Sequence, residues 1–366
     1  MKKLHLTHSH KEQNGVALIT ALLIVSLATI MAVSLISRQY MDVRRTGNIM
    51  NSDKAYLQAL TMEVSAAQLL TFSRKELKRK YDDIEEFDQA VLGLNANAMK
   101  VAENEASVQL ALIYPEARFN INALIGRDGK VNKAQQDRFR LLLSEVLRDI
   151  GESESRADEL IASLLDWMDD DEDVRPSGAE DSLYESKDPP YKTANRSMVS
   201  ISELQLVEGF EPVLLYGIPK DEKDENSEAI PGLLSYVTVL PDKNSTINVN
   251  LVTDPKMIKL LSVYITDTMA TDILAAQPFE DLSQFINHEV WDEIKSSDNG
   301  GGENWKKLKK SLKEAQFALN VQSSYFVARS TASLGKSVFI LNSLVYVAKD
   351  GTKLEVISRT VGRDAI

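Results

Sequence analysis

The chain has 366 residues, of which 43% are hydrophobic and 26% are charged, a composition typical of a folded protein and not of a disordered one. Its 42 basic and 54 acidic residues give a net charge of −12, which opposes binding to the phosphate backbone of a nucleic acid. There is no cysteine, so disulfides, thiolate metal sites and cysteine nucleophiles are excluded.

The chain begins with a short polar segment that is followed by a long apolar one. Residues 1–15 carry two early lysines, and residues 16–37 contain no charged side chain. At about 1.5 Å per residue, a helix of that length crosses the roughly 30 Å hydrocarbon layer of a membrane. A secretory signal would have a shorter apolar run with a small residue after it, whereas Gly15 precedes this run. A plain membrane anchor is the other alternative, and the basic leader favours a cytoplasmic N-terminus.

The pattern beyond the apolar run predicts a long helix that packs on an antiparallel sheet. Apolar side chains at near-helical spacing continue to about residue 72. Strands are predicted at residues 108–113 and within residues 324–359, where β-branched side chains are frequent. About two hundred residues separate these strands, and most of them show helical periodicity. We therefore expect an α+β fold in which a large α-helical domain is inserted into a helix-and-sheet unit.

A short motif occurs twice within the helical stretch. Residues 119–122 and 247–250 each predict an extended segment ending in an asparagine that turns the chain into a following helix. A pair of helices is predicted after each copy, at residues 135–150 with 156–168 and at residues 256–264 with 269–276. The second copy resembles a helix-hairpin-helix unit, but its hairpin contains an aspartate and no glycine. We therefore do not expect it to bind phosphate, and nucleic acid is not an expected partner.

The densest run of charge lies at residues 166–188, which contain ten acidic and two basic residues. Carboxylates so close together repel one another unless a hard cation such as Ca²⁺, with about six to eight oxygen ligands, cancels their charge. Asp169, Asp171 and Asp173 alternate, and Glu180 is twelfth counted from Asp169, as in a calcium-binding loop. Valine stands where an EF-hand requires glycine, so we predict a different loop with similar ligands. The alternative is a solvated acidic turn that caps a helix.

No group of residues in the sequence predicts catalysis. Three of the four histidines lie in the first fifteen residues, which leaves His288. There is no nucleophile elbow, phosphate-binding loop or paired-histidine motif, and the tryptophans are expected to pack in the core. We therefore expect a subunit that acts by assembling with other proteins, and not an enzyme.

Several motifs occur along the chain in the order seen in one protein family. The junction of Gly15 with the apolar run resembles the processing site of type IV pilins and pseudopilins. Further motifs lie at residues 118–124, 165–169, 175–181, 189–195, 202–204 and 247–250. Together they resemble the minor pseudopilin K subunit family of type II secretion systems.

The resemblance implies a pilin-like fold, a processing site and a metal site. Prepilin peptidase is expected to cleave between Gly15 and Val16, and Val16 is expected to become N-methylated. Calcium is the expected cofactor. Its expected ligands are Asp169, Asp171, Glu180 and Asp181, followed by Asp173 and Asn195.

The expected function is that of a minor pseudopilin at the tip of the pseudopilus, which starts assembly with minor pseudopilins I and J and supports export across the outer membrane. Most pilins carry a glutamate where this chain has Thr20, and that glutamate is thought to pair with the next subunit toward the tip. Because an unpaired carboxylate in a membrane helix is costly, its absence favours the tip position. The alternatives are a tip receptor for secreted cargo and a minor pilin of a related type IV pilus.

The resemblance and the residue patterns together predict the location and the segments of the chain. We expect a single-pass protein of the bacterial inner membrane, with the globular part in the periplasm. The predicted segments are a cleaved leader at residues 1–15, a membrane span at 16–37, the pilin helix and first strands at 38–118, the inserted α-helical domain with helix-hairpin-helix-like units at 119–320, and the C-terminal pilin strands at 321–366.

Overall fold

The computed structural model describes residues 14–80, 101–103, 106–221, 227–294, 302–335, 337–348 and 351–362. In chain order the helices are α1 Asn14–Lys80, α2 Lys133–Asp149, α3 Arg156–Met168, α4 Asp181–Tyr184, α5 Pro212–Tyr216, α6 Lys256–Lys259, α7 Asp267–Ala275, α8 Leu282–Ile286 and α9 Glu303–Ala315. The strands are β1 Val101–Glu103, β2 Ala106–Ile113, β3 Phe119–Asn120, β4 Gly217–Ile218, β5 Ile230–Pro231, β6 Val237–Thr238, β7 Ile247–Asn248, β8 Leu319–Asn320, β9 Tyr325–Leu334, β10 Ser337–Val347 and β11 Leu354–Val361.

The first helix is long and has two different halves. Its 67 residues extend about 100 Å at 1.5 Å per residue. In the first half, an 18-residue window has a mean hydropathy of 2.7 and no buried residue, so among the described residues α1 is the helix that could cross a membrane. The second half is amphipathic, and it buries small and apolar side chains at helical spacing: Ala55, Ala59, Met62, Ala66 and Leu70. Most of the predicted leader, residues 1–13, lies outside the described residues.

Among the described residues, five strands form one antiparallel sheet in the order β1-β2-β9-β10-β11. The decisive pair is β2 with β9, which joins distant parts of the chain from Ala106 opposite Leu334 to Ile113 opposite Val327. The amphipathic half of α1 packs on one face of this sheet and closes a core with Val108, Phe326 and Val345. The strands predicted at residues 108–113 and within 324–359 are therefore confirmed.

The contacts of α1 fix its direction relative to the sheet. Tyr56 packs edge-to-face on Phe339 of β10, with ring centroids 5.3 Å apart. One and a half to two turns further on, Glu63 accepts a hydrogen bond from Ser343 of the same strand. The two elements thus run in the same direction, so the end of the sheet that holds Ile113 and Tyr325 is the end farther from the apolar half of α1.

Residues 114–324 leave and re-enter the sheet at that far end, and their described parts form a mainly helical body with its own core. The side chain of Asn132 accepts from the Gln135 N–H and starts α2, which packs beside α3. Phe119 stacks on Phe139 of α2, with ring centroids 5.2 Å apart. The helix predicted at residues 256–264 is shorter and ends as α6 at Lys259. Further along, the Ser262 hydroxyl accepts the Tyr264 N–H, a local bond that competes with the helix.

The two asparagine motifs make the same contact in two places. Asn122 accepts from the Met198 N–H at 2.8 Å and donates to the Met198 carbonyl at 2.9 Å. Asn250 accepts from the Phe279 N–H at 2.8 Å and donates to the Phe279 carbonyl at 2.9 Å. Each side-chain amide therefore holds the chain at the point where it returns from a helix pair, and the sequence repeat is a structural repeat.

The contact of Glu63 with Arg359 of β11 gives a test of how α1 is held on the sheet. Glu63 is 4% exposed and accepts two hydrogen bonds from Arg359, at 2.7 and 2.8 Å. We expect Glu63→Gln to lower the free energy of unfolding by about 2 kcal/mol, because it weakens a charge-assisted pair and leaves a buried amide poorly matched. Urea unfolding of the purified chain in detergent micelles measures this change.

The control is Glu355→Gln. Glu355 lies on β11, as Arg359 does, but it is exposed and pairs with Lys353 at the surface. We expect that change to alter the free energy of unfolding by no more than about 0.5 kcal/mol. Equal urea midpoints for the Glu63 variant and the unchanged chain would contradict the proposed role of Glu63.

Candidate metal centre

The acidic run lies in an insertion within the first of the two repeated units. In the second unit, residues 276–278 lead from α7 to the residue held by Asn250. In the first unit, residues 169–197 lead from α3 to Met198, the residue held by Asn122. The loop is therefore anchored at one end by the C-terminus of α3 and at the other by the side chain of Asn122. This anchoring fixes the positions of the loop ends relative to the helical body.

Three of the predicted ligands come together in this loop. One carboxylate oxygen from each of Asp169, Asp171 and Glu180 lies within 4.8 Å of the other two. Asp169 is the C-terminal cap of α3, and Glu180 is the residue before α4, so two helix ends position the buried members of the cluster. Asp171 is exposed and accepts the Asp173 N–H at 2.9 Å. Of the three carboxylates, that of Asp171 is therefore exposed to solvent, and those of the other two are buried.

Several oxygen atoms at the cluster are buried and lack a hydrogen-bond partner within the described chain. Glu180 is 2% exposed, and neither of its carboxylate oxygens is satisfied. Asp169 is 6% exposed; its Oδ2 forms an ion pair with Arg175, and its Oδ1 has no hydrogen-bond partner. Because buried polar atoms are nearly always paired, these oxygens fit a site that takes a cation.

Asn195 contributes a further buried oxygen beside α3. Its backbone N–H donates to the Trp167 carbonyl at 3.1 Å, which holds the residue against the last turn of that helix. The backbone adopts a positive φ of 44°, a conformation that asparagine tolerates better than most residues. Its Oδ1 atom is buried without a partner, so it is available as a neutral oxygen ligand.

The electrostatics of the cluster also favour a cation. Burial, and then the neighbouring carboxylates of Asp166 and Asp169, raise the pKa of Glu180 to about 7. Burial likewise raises the pKa of Asp169, although Arg175 opposes the shift. Without an ion the cluster therefore holds a proton more readily than ordinary carboxylates do, and a divalent cation would compete with that proton.

Two predicted ligands have other contacts in the structure. Asp181 accepts from the Thr193 N–H at 2.9 Å and from the Lys192 ammonium at 2.7 Å. The Lys192 contact, followed by those of Thr193, lowers the pKa of Asp181 to about 2. Asp173 is exposed and reaches the cluster through its backbone N–H, which donates to Asp171. Their roles as ligands, like those of the other four residues, stay predictions.

Two charged residues of the centre were not predicted from the sequence. Asp166 is fully buried, and its Oδ1 accepts from Arg175 Nη1 at 2.6 Å. Gly178 approaches so closely that a Cβ at that position would lie 2.0 Å from Asp166 Oδ2, which explains the need for glycine there. The sequence does contain one signal for this ion pair: Arg175 is the first of only two basic residues in the acidic run of residues 166–188.

The predicted processing site lies at the start of α1. Gly15 and Val16 fall in its first turn, and the Thr20 hydroxyl donates to the carbonyls of Val16 and Ala17, both at 3.0 Å. The hydroxyl is thus satisfied within its own helix, without a partner from another subunit.

Comparison with known proteins shows which family the chain resembles. The family described as type II secretion system (T2SS), protein K matches residues 117–218, which include the candidate metal centre. Proteins named type II secretion system protein K are similar over nearly their whole length. The one from Klebsiella pneumoniae is 25% identical over 96% of this chain and 97% of its own length, and the one from Pseudomonas aeruginosa is 28% identical over 97% and 94%. The resemblance to the type II secretion system protein K family is therefore confirmed over nearly the whole chain.

By this similarity the chain is a pseudopilin, a structural component of protein transport, and the expectation that it is not an enzyme is confirmed. The pilin-like α+β fold is confirmed as well. A chain of the crystal structure of the GspK-GspI-GspJ complex from enterotoxigenic Escherichia coli has a TM-score of 0.66. The match covers 87% of this chain and 99% of that chain at 21% sequence identity. The TM-score and the coverage together establish that the two chains share a fold.

Proposed function

We propose that this pseudopilin forms the tip of the pseudopilus and starts its assembly with minor pseudopilins I and J. The observation that carries the proposal is the place of the inserted helical body, which joins the sheet at the end farther from the apolar half of α1. In a fibre of parallel α1 helices, a further subunit would have to pack beyond that end. The helical body occupies this space, so the chain would end the fibre.

Hydrogen bonds and an apolar contact hold the helical body to the end of the sheet. Glu116 lies where the chain leaves the sheet, is 2% exposed, and accepts from the N–H groups of Ser324 and Tyr325 at 2.5 and 2.9 Å, where the chain returns. Leu240 of the helical body packs with Tyr325, Val327 and Leu344 at the same end of the sheet. A body held by both crossing segments and by an apolar contact is suited to act as a rigid cap.

The partners and the location follow from the same proposal. The matching fold in the GspK-GspI-GspJ complex supports pseudopilins of types I and J as partners. The apolar half of α1 supports a single span in the bacterial inner membrane, with the sheet and the helical body in the periplasm. The bounds of the five segments predicted from the sequence are part of this proposal.

Removing the helical body tests the cap. We expect that a tagged chain in which a short Gly-Ser linker replaces residues 115–323 still joins the pseudopilus, because α1 and the sheet are kept. Further subunits then pack beyond it, so gold-labelled antibody finds the tag along sheared fibres and not only at one end. The tagged full-length chain is the control, with label at one end.

A different result would favour the alternative function. If the shortened chain stays at the fibre end and assembly is normal while export is lost, the helical body recognises cargo and does not act as a cap. Failure of the shortened chain to enter membranes with its partners would contradict the claim that α1 and the sheet suffice for assembly.

We also propose that prepilin peptidase cleaves between Gly15 and Val16 and that Val16 is then N-methylated. Mass spectrometry of the chain from membranes is expected to find a methylated N-terminus at Val16. Gly15→Val should abolish cleavage, because in the pilins that this junction resembles the peptidase cuts after a glycine. Gly47→Ala is the matched control, since a Cβ at that helix position meets nothing within 4 Å. A product that retains Met1, or that starts well beyond the apolar run, would contradict the proposal.

The metal centre is proposed to bind calcium. Asp169, Asp171 and Glu180 would hold the ion, with Asn195 as a neutral ligand and Asp173 and Asp181 as more distant contributors. Bound calcium would supply positive charge that cancels the repulsion between the carboxylates and would join the ends of α3 and α4.

Calorimetry of the full-length chain in detergent is expected to show calcium binding with a Kd of about 0.1 to 1 mM, the range of extracellular sites. Binding should be weaker at pH 6 than at pH 8, because below its pKa of about 7 Glu180 holds a proton that the ion must displace. Glu180→Gln should abolish binding, whereas the control Glu185→Gln, an exposed acid paired with Lys192, should retain it. Absence of both heat and a melting shift at millimolar calcium would exclude the site.

A further inference from the structure

The strongest unassigned feature of the metal centre is the arginine that reaches two of its aspartates. Arg175 Nη1 contacts Asp166 Oδ1 at 2.6 Å and also forms an ion pair with Asp169 Oδ2. Its backbone N–H donates to Asp166 Oδ2 at 3.2 Å. Arg175 therefore holds the fully buried carboxylate of Asp166 by both its backbone and its side chain, and the same side chain links it to Asp169 of the cluster.

The same residue fixes the loop that carries Glu180. The Arg175 carbonyl accepts from the Gly178 N–H at 2.8 Å, and Ser177 between them has a positive φ of 63°. Gly178 lies against Asp166, and two residues later the chain reaches Glu180. The positions of Asp169 and Glu180, the two buried members of the cluster, thus both depend on the contact between Arg175 and Asp166.

We propose that Arg175 is a positioning residue of the cation site, an inference that rests on the proposed function of that site. It holds Asp169 by one oxygen, so that only Oδ1 is left to bind the ion, and it holds the turn that places Glu180 opposite. Asp166 serves as the buried anchor for Arg175 and is not itself a ligand. The arrangement is a chain of contacts from Asp166 through Arg175 to Asp169 and then to the cation.

A positioning role and a purely electrostatic role of Arg175 predict opposite changes in calcium affinity when the arginine is replaced. A positive charge beside a cation site repels the ion, so if charge alone mattered, the loss of Arg175 would tighten calcium binding. If Arg175 positions the ligands, its loss weakens binding despite the gain in attraction. Loss of contacts that orient metal ligands typically costs about 10- to 100-fold in affinity.

The test is calorimetric calcium binding to the full-length chain in detergent. We expect Arg175→Gln to weaken binding about 10- to 100-fold and Arg175→Lys to recover only part of the loss, because an ammonium on a flexible stem does not reproduce the fixed direction of the guanidinium Nη1 that contacts both carboxylates. The control is Arg196→Gln, which removes one positive charge from the same loop at a residue paired with Glu203. That variant should bind calcium as tightly as the unchanged chain or slightly more tightly.

Folding is checked separately, because Arg175→Gln leaves Asp166 buried without its partner. The double variant Asp166→Asn with Arg175→Gln removes both charges, so we expect it to recover thermal stability in the absence of metal while its calcium affinity stays low. Unchanged or tighter binding by Arg175→Gln, or full recovery of affinity in the double variant, would overturn the positioning role. If the unchanged chain itself binds no calcium, the cation site fails, and this inference fails with it.

Discussion

The antiparallel pairing of β2 with β9 is the constraint on which the rest of the architecture depends. It brings together Ile113 and Val327, with residues 114–324 between the strands. Closing so long a loop in a flexible chain would cost roughly 5 kcal/mol in entropy. The intervening residues instead fold around their own core, and Glu116 ties their two ends together, so much of that entropy is lost when the helical body itself folds. The pilin-like unit can therefore carry a large insertion without losing its sheet.

The candidate metal centre depends on a second insertion, nested within the first. Both repeated units use an asparagine amide to hold the returning chain, at Met198 in one and at Phe279 in the other. The second unit shows that a short connection suffices to reach this contact. The long acidic loop of the first unit is therefore not needed for the helix pair itself, and its anchoring between α3 and Met198 gives its carboxylates a defined place.

The sequence predicts features that local periodicity and spacing determine. The apolar run, the strands and α3 follow directly from side-chain pattern. The spacing of acids indicates Asp169, Asp171, Asp173 and Glu180, of which the structure brings Asp169, Asp171 and Glu180 together. The sequence does not predict contacts between distant positions. The spacing of Asp181 suits a ligand, but its oxygens are taken by residues eleven and twelve positions later. The ion pair of Asp166 with Arg175 is not predictable from the sequence either, because the burial of a carboxylate depends on the tertiary fold of the chain around it.

Three glutamates are buried among the described residues, and each lies at a joint of the subunit. Glu63 joins α1 to the sheet and is satisfied by Arg359 and Ser343. Glu116 joins the sheet to the helical body and is satisfied by backbone N–H groups. Glu180 joins the acidic loop to α4, and the described chain offers its oxygens no hydrogen bond. Because the unpaired burial of a carboxylate is costly, the third joint favours a positive partner, either the proton that the raised pKa of Glu180 indicates or the divalent cation proposed for this site.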